Sequence, residues 1–238
     1  MLLLANGCSH TAGAEIEYEW QDNCYEKAYP KFCADTLGWD YKNLAVSGAS
    51  QERIIRTTID WVGKNYKSYK NTDIYIVIMW SGPSRTEFYS ENIRNYLQML
   101  PNNDEIYKKQ FTKVEYLYYK SYVTLQNRQA QLVKWYNNII LLQSYLVTFK
   151  IKYLFLNASE PLRHANNNLV HLASQINYKN YPWAFEHNNS YLNLLLNRGF
   201  KMPEHIKRQN STHLGGDAHK YYGTMLAKYI KETLNGNI

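Results

Sequence analysis

The sequence predicts an α/β fold, a three-layer α/β/α sandwich around a central parallel sheet. Short apolar runs alternate with longer segments whose apolar residues recur at helical spacing, the order of successive βαβ units. One run, Ile74 to Trp80, is almost continuously apolar and rich in β-branched residues, which suits a strand covered on both faces. There is no internal repeat and no Pro/Gly/Ser-rich linker, so the expectation is a single domain over residues 1–238.

Strands are expected over Met1–Asn6, Tyr41–Ala45, Asp73–Trp80 and Lys152–Asn157. Between them, a helix over Glu26–Leu37 runs up to the stop signal Gly38, and one over Ser50–Tyr66 opens on a serine suited to cap it. Residues from Val114 to Phe149 keep apolar residues at helical spacing. The last helix, Gly216–Leu234, places Tyr222, Met225, Leu226, Tyr229 and Ile230 on one face. Residues 86–126 form a Tyr-rich, charged insertion placed to cover part of a site, and residues 160–205 read as irregular connections with short helices.

With 45% hydrophobic and 20% charged residues, the chain belongs among globular proteins. The net charge of +7 comes from 27 scattered Lys and Arg with no basic run, which is no nucleic-acid footprint. Cys8, Cys24 and Cys33 are odd in number and lack Cys-x-x-Cys spacing, so free thiols in a reducing compartment are expected. Without a basic leader or a run long enough to span a membrane, the expected location is cytoplasmic. The 23 tyrosines supply amphipathic rings for a polar pocket.

Three places carry chemistry. Leu2-Leu3-Leu4 breaks into Gly7-Cys8-Ser9, which sets Ser9 at the C-terminal tip of the first strand, where open α/β sheets face their ligand crevice. A serine there suits a nucleophile, with a helix cap as its plain alternative. His213, in the loop before the last helix, can reach across the sheet to take the serine proton. Gly48, after the second strand, lets a backbone N–H approach a developing oxyanion, making a two-donor hole with the N–H of Ser9.

In this order the blocks resemble the SGNH (GDSL-like) hydrolase superfamily. Gly7-Cys8-Ser9-His10-Thr11 looks like its first block, with Cys8 where an aspartate usually stands, and Asn43 through Gly48 like its second. Asn210-Ser211-Thr212-His213 looks like the last block, which normally begins with aspartate. The resemblance implies a flavodoxin-like fold with a five-stranded parallel sheet, and hydrolysis or transfer of acyl groups. It puts Asn210 in the place of the acidic triad member. The third block falls on Trp80-Ser81-Gly82-Pro83 and lacks the family's oxyanion asparagine. Ser81 or Ser84 is then the candidate hydroxyl donor, and Arg85 the candidate contact for an anionic group.

The expected protein is therefore a serine esterase acting on a small-molecule or carbohydrate acyl ester, with carbohydrate O-deacetylation as the expected task and no metal or organic cofactor. Alternatives are a catalytically weak or inactive member of the fold that binds a glycan or protein, and an acyltransferase using the same serine. Cys8 is a rival nucleophile, but its side chain should turn into the core. His10 is expected as a packing or pocket residue and His219 as a support near the start of the last helix. His205, His213, Asp217 and His219 match no standard zinc spacing.

Overall fold

A computed structural model describes residues 1–19, 21–69, 73–159, 169–183, 190–206 and 211–236. In chain order its elements are β1 (Leu2–Gly7), α1 (Ser9–Ala12), α2 (Tyr29–Leu37), β2 (Asp40–Asn43), α3 (Gln51–Asn65) and β3 (Ile74–Trp80). Next come β4 (Thr86–Ser90), β5 (Asn95–Met99), α4 (Asp104–Gln110), α5 (Lys113–Thr124), α6 (Arg128–Thr148) and β6 (Lys152–Asn157). The chain closes with α7 (Val170–Ala173), α8 (Tyr191–Asn197) and α9 (Gly216–Leu234).

The main sheet has four strands in the order β2-β1-β3-β6, all neighbours parallel. That is one strand fewer, among the described residues, than the family resemblance implies. β1 and β3 are buried along their whole length, as their continuous apolar character demands. On one helical layer α2 packs against α9, and on the other α3 packs against α6. The first contact is close because position 223 is glycine: a Cβ there would lie 2.3 Å from the Tyr29 carbonyl oxygen.

The chain leaves β1 for β2 on one side, then crosses back to β3 on the other. The gap beyond the C-terminal ends of β1 and β3 is therefore a topological switch point, the place where such sheets bind ligands. Ser9 follows β1 there, and residues 81–85 follow β3.

Local chemistry explains where elements depart from expectation. Residues Tyr25–Lys27 form a 3-10 turn and α2 starts afresh at Tyr29, because Pro30 fits only the first turn of a helix. β2 stops at Asn43, whose side chain accepts a hydrogen bond from the Ala45 N–H at 3.0 Å and turns the chain. The expected helix over 114–149 is two helices. Thr112 and Glu115 open α5 with a capping box, and Asn127 caps α6 by accepting from the Ala130 N–H. Residues 86–126 hold the antiparallel β4–β5 hairpin with α4 and α5, around a small core of Met99, Tyr107 and Tyr119. Among the described residues no helix is long and apolar enough to cross a membrane.

Candidate active site

α1 begins at the very end of β1, and Ser9 is its first residue. The N–H groups of a helix's first turn have no partner within the helix, so the Ser9 N–H is available to an acceptor outside it. Cys8 precedes it with its side chain 1% exposed in the main core, as expected of the residue turned the other way. Gly48 sits at φ 74°, a left-handed conformation that glycine adopts without strain, and it lines the same cavity as Ser9.

Backbone hydrogen bonds tie the residues after α1 to Gln21 and return the chain at Cys24 to Ala12. The Glu15 N–H donates to the Gln21 carbonyl at 3.0 Å, and the Cys24 N–H to the Ala12 carbonyl at 2.9 Å. This brings the Glu15 side chain, 2% exposed, against His213: Oε2 lies 2.6 Å from Nδ1, within the range of a charge-assisted bond. The same oxygen accepts from the Ser211 hydroxyl at 3.2 Å, and the Ser211 oxygen accepts from the His213 N–H at 3.3 Å. His205 Nε2 meets the Glu15 carbonyl at 2.9 Å, tying the loop before α9 to the turn after α1. A carboxylate only accepts, so at this contact Nδ1 carries the proton and Nε2 is the basic nitrogen of the neutral ring.

Ser9, Gly48, His213 and Glu15 thus line one cavity of about 590 Å³, a usual size for a small-molecule site. Its far wall comes from the insertion: Gln98, Leu100, Asn103, Ile106, Tyr107 and Gln110. Gln98 also locks the wall to the loop after Gly48. Its Oε1 accepts from the Ser50 N–H at 2.8 Å, while its Nε2 donates to Glu87, which is itself held by both arms of Arg56 at 2.9 Å.

The other expected residues fall in different places. Arg85 lines the cavity. Ser81 is 1% exposed, its hydroxyl oxygen is buried without a partner among the described residues, and it is not among the residues that line the cavity. Ser84 meets the insertion through its carbonyl, which accepts from the Tyr122 hydroxyl at 2.9 Å. Asn210 lies outside the described residues.

His10 is buried, its ring centroid 5.2 Å from that of His213 and 5.1 Å from that of Tyr191. Burial first, then the charges of His213, His219 and Arg85, hold its pKa well below the ordinary value, so no second cation forms beside His213. His219 is buried near the start of α9, as expected. Its Nδ1 accepts from the Tyr29 N–H at 3.1 Å and its Nε2 meets the Tyr191 hydroxyl at 3.0 Å. Among the described residues, no group of three or more His, Cys, Asp or Glu is placed to hold a metal ion.

Glu15 is the residue the sequence reading missed. The signal that could have found it is an acid in an otherwise small and apolar stretch, Thr11-Ala12-Gly13-Ala14-Glu15-Ile16, directly behind the serine block.

A parallel sheet between two helical layers, with a serine at the tip of its first strand and a histidine before its last helix, is the fold of the SGNH (GDSL-like) hydrolases. The acetyl xylan esterase Est2A from the rumen bacterium Butyrivibrio proteoclasticus has this fold in common with the chain, with a TM-score of 0.51 at 12% identity over 98% of this chain. The chain spans 64% of that protein's length. The psychrotrophic esterase EstA from Pseudoalteromonas sp. aligns over 98% of both chains at 12% identity, with a TM-score of 0.48. No curated protein matches the sequence. The chain belongs to the family of unknown function DUF6071, whose model matches residues 15–178, a span that includes Glu15, Gly48 and Arg85.

Proposed function

We propose that this protein is a serine ester hydrolase of the SGNH type, with a triad of Ser9, His213 and Glu15. The observation that carries this reading is the 2.6 Å contact of His213 Nδ1 with buried Glu15, in the cavity that Ser9 also lines. Glu15 fixes the tautomer, so Nε2 takes the Ser9 proton as the hydroxyl oxygen attacks the acyl carbon. The N–H groups of Ser9 and Gly48 hold the tetrahedral oxyanion, each donor worth about 3 kcal/mol of the barrier. The imidazolium, stabilised by the Glu15 carboxylate, then protonates the departing alcohol. Water, activated by the same nitrogen, releases the acid from the acyl-enzyme. The cycle draws on side chains, two backbone N–H groups and water, and Glu15 fills the role that the family pattern gives to residue 210.

The cavity wall supplies Gln21, Asn103 and Gln110 as hydrogen-bonding side chains. Such a lining supports an alcohol side rich in hydroxyls, and O-deacetylation of a carbohydrate or small polyol is the reaction we favour. The test is reaction with a fluorophosphonate probe together with hydrolysis of 4-nitrophenyl acetate by the wild type, Ser9→Ala and His213→Ala. Labelling at Ser9 and a loss of at least about 10³-fold in both variants are expected. Equal rates in all three proteins with no labelling would overturn the assignment and leave a binding module of the same fold.

A further inference from the structure

Arg85 stands in the irregular stretch between β3 and β4, and three contacts fix its backbone. Its N–H donates to the Gly82 carbonyl at 3.3 Å, its own carbonyl accepts from Lys134 Nζ at 3.1 Å, and the preceding Ser84 carbonyl accepts from Tyr122. Lys134 is itself paired with Glu52 at 2.9 Å. Arg85 lines the cavity that Ser9 and Gly48 also line. Its charge is felt at buried His10 and at Tyr107 on the insertion wall.

Nη1 of Arg85 is closed off from water and has no hydrogen-bond partner among the described residues. A guanidinium nitrogen in that state is costly unless an acceptor arrives from outside. The carboxylates of the cavity are not that acceptor. Glu15 is engaged with His213 and Ser211, and Asp22 stands exposed on the rim. A planar, permanently charged fork on a residue of the cavity wall is suited to a carboxylate or phosphate, which can take two parallel N–H bonds.

We infer that the ester taken by this site carries an anionic group, a carboxylate or a phosphate, which Arg85 receives while the ester carbonyl lies at Ser9. The inference rests on the esterase reading above, and binding and turnover are therefore measured separately. Titration with benzoate, phenyl phosphate and benzyl alcohol reads binding alone. At least one anion should bind tenfold or more tightly than the alcohol, and the tighter of the two anions identifies the group. Hydrolysis of 4-acetoxybenzoate against its methyl ester reads turnover, with kcat/KM at least tenfold higher for the anion where the group is a carboxylate; 4-acetoxyphenyl phosphate takes its place where phenyl phosphate binds more tightly. In Arg85→Gln both ratios should fall to about one, and Arg85→Lys should restore part of each. Anions that bind no better than benzyl alcohol, or ratios unchanged in Arg85→Gln, would overturn the inference. So would an equal loss on charged and neutral esters, which would make Arg85 a donor to the oxyanion common to every ester. If no ester turns over, the esterase reading falls while the titration still decides whether Arg85 receives an anion.

Discussion

Glu15 adopts φ 59°, a left-handed conformation that an L-residue with a long side chain rarely takes. A backbone in such a region costs on the order of 1–3 kcal/mol and persists where its surroundings over-determine it. Here they do: the Glu15 N–H, carbonyl and carboxylate are each engaged, by Gln21, His205 and the Ser211–His213 pair. Replacing the carboxylate by an amide tests what that geometry is for. Glu15→Gln keeps the shape but offers Nδ1 a donor or a neutral acceptor, and the imidazolium formed in the reaction loses its counter-charge. Turnover of 4-nitrophenyl acetate should fall by roughly 10³–10⁴-fold, the scale of the matching change in a serine protease, with KM little moved. A loss of less than about threefold would remove Glu15 from the triad. Ser9, Gly48 and His213 are legible in the sequence because each ends a strand or precedes a helix, places that the apolar pattern marks. Glu15 is not, because its partner is 198 residues away and only the folded turn of residues 13–24 brings the two together.

The insertion acts on the site as an element. The hairpin β4–β5 is joined to α3 through Arg56 and Glu87, with the Arg56 guanidinium also 3.8 Å over the Tyr96 ring. Through Gln98 the same hairpin holds the Ser50 N–H, two residues after the Gly48 that we propose as an oxyanion donor. Leu100 stands against Gly48 itself, since a Cβ there would come within 3.3 Å of Leu100 Cδ1. Gln98→Ala frees the loop while leaving the Arg56–Glu87 pair. A donor displaced by a fraction of an ångström is felt in the transition state first. We expect kcat to fall by about 10- to 100-fold with KM and thermal midpoint nearly unchanged; a rise in KM alone would show that Gln98 serves binding instead. The hairpin is hard to read from sequence because its turn lacks the usual signal: Arg94 takes the positive φ, at 49°, where glycine or asparagine would announce a turn. By contrast β6 and α9 appear at the bounds expected, because one is a continuous apolar run and the other a clean amphipathic stripe.

Across the whole molecule, the two ends of the chain are clasped by α2 and α9, and a buried histidine stands at the seam. In its neutral form His219 satisfies both ring nitrogens, accepting from the first N–H of α2 at Nδ1 and donating from Nε2 to Tyr191. Burial, followed by the charge of His213, pushes its pKa down to about 3 from an ordinary value of 6.5. The unfolded chain, where the ring is in water, takes up a proton near pH 6.5, and the folded chain does so only near 3. The unfolded state therefore binds more protons between these values, so stability is full above about pH 6.5 and drains away as the pH falls toward 3. Each such histidine contributes a slope of up to about 1.4 kcal/mol per pH unit in that window, and His10, shifted in the same direction by its own burial, adds to it. Urea unfolding at a series of pH values from 7 to 4 should show this decline. His219→Gln, whose amide oxygen can still accept from the Tyr29 N–H, should be less stable than wild type at pH 7 through imperfect packing, yet lose stability more slowly on acidification. Parallel pH profiles for the two proteins would mean that acid sensitivity arises elsewhere and that the seam between the chain ends is not where protons unfold the molecule.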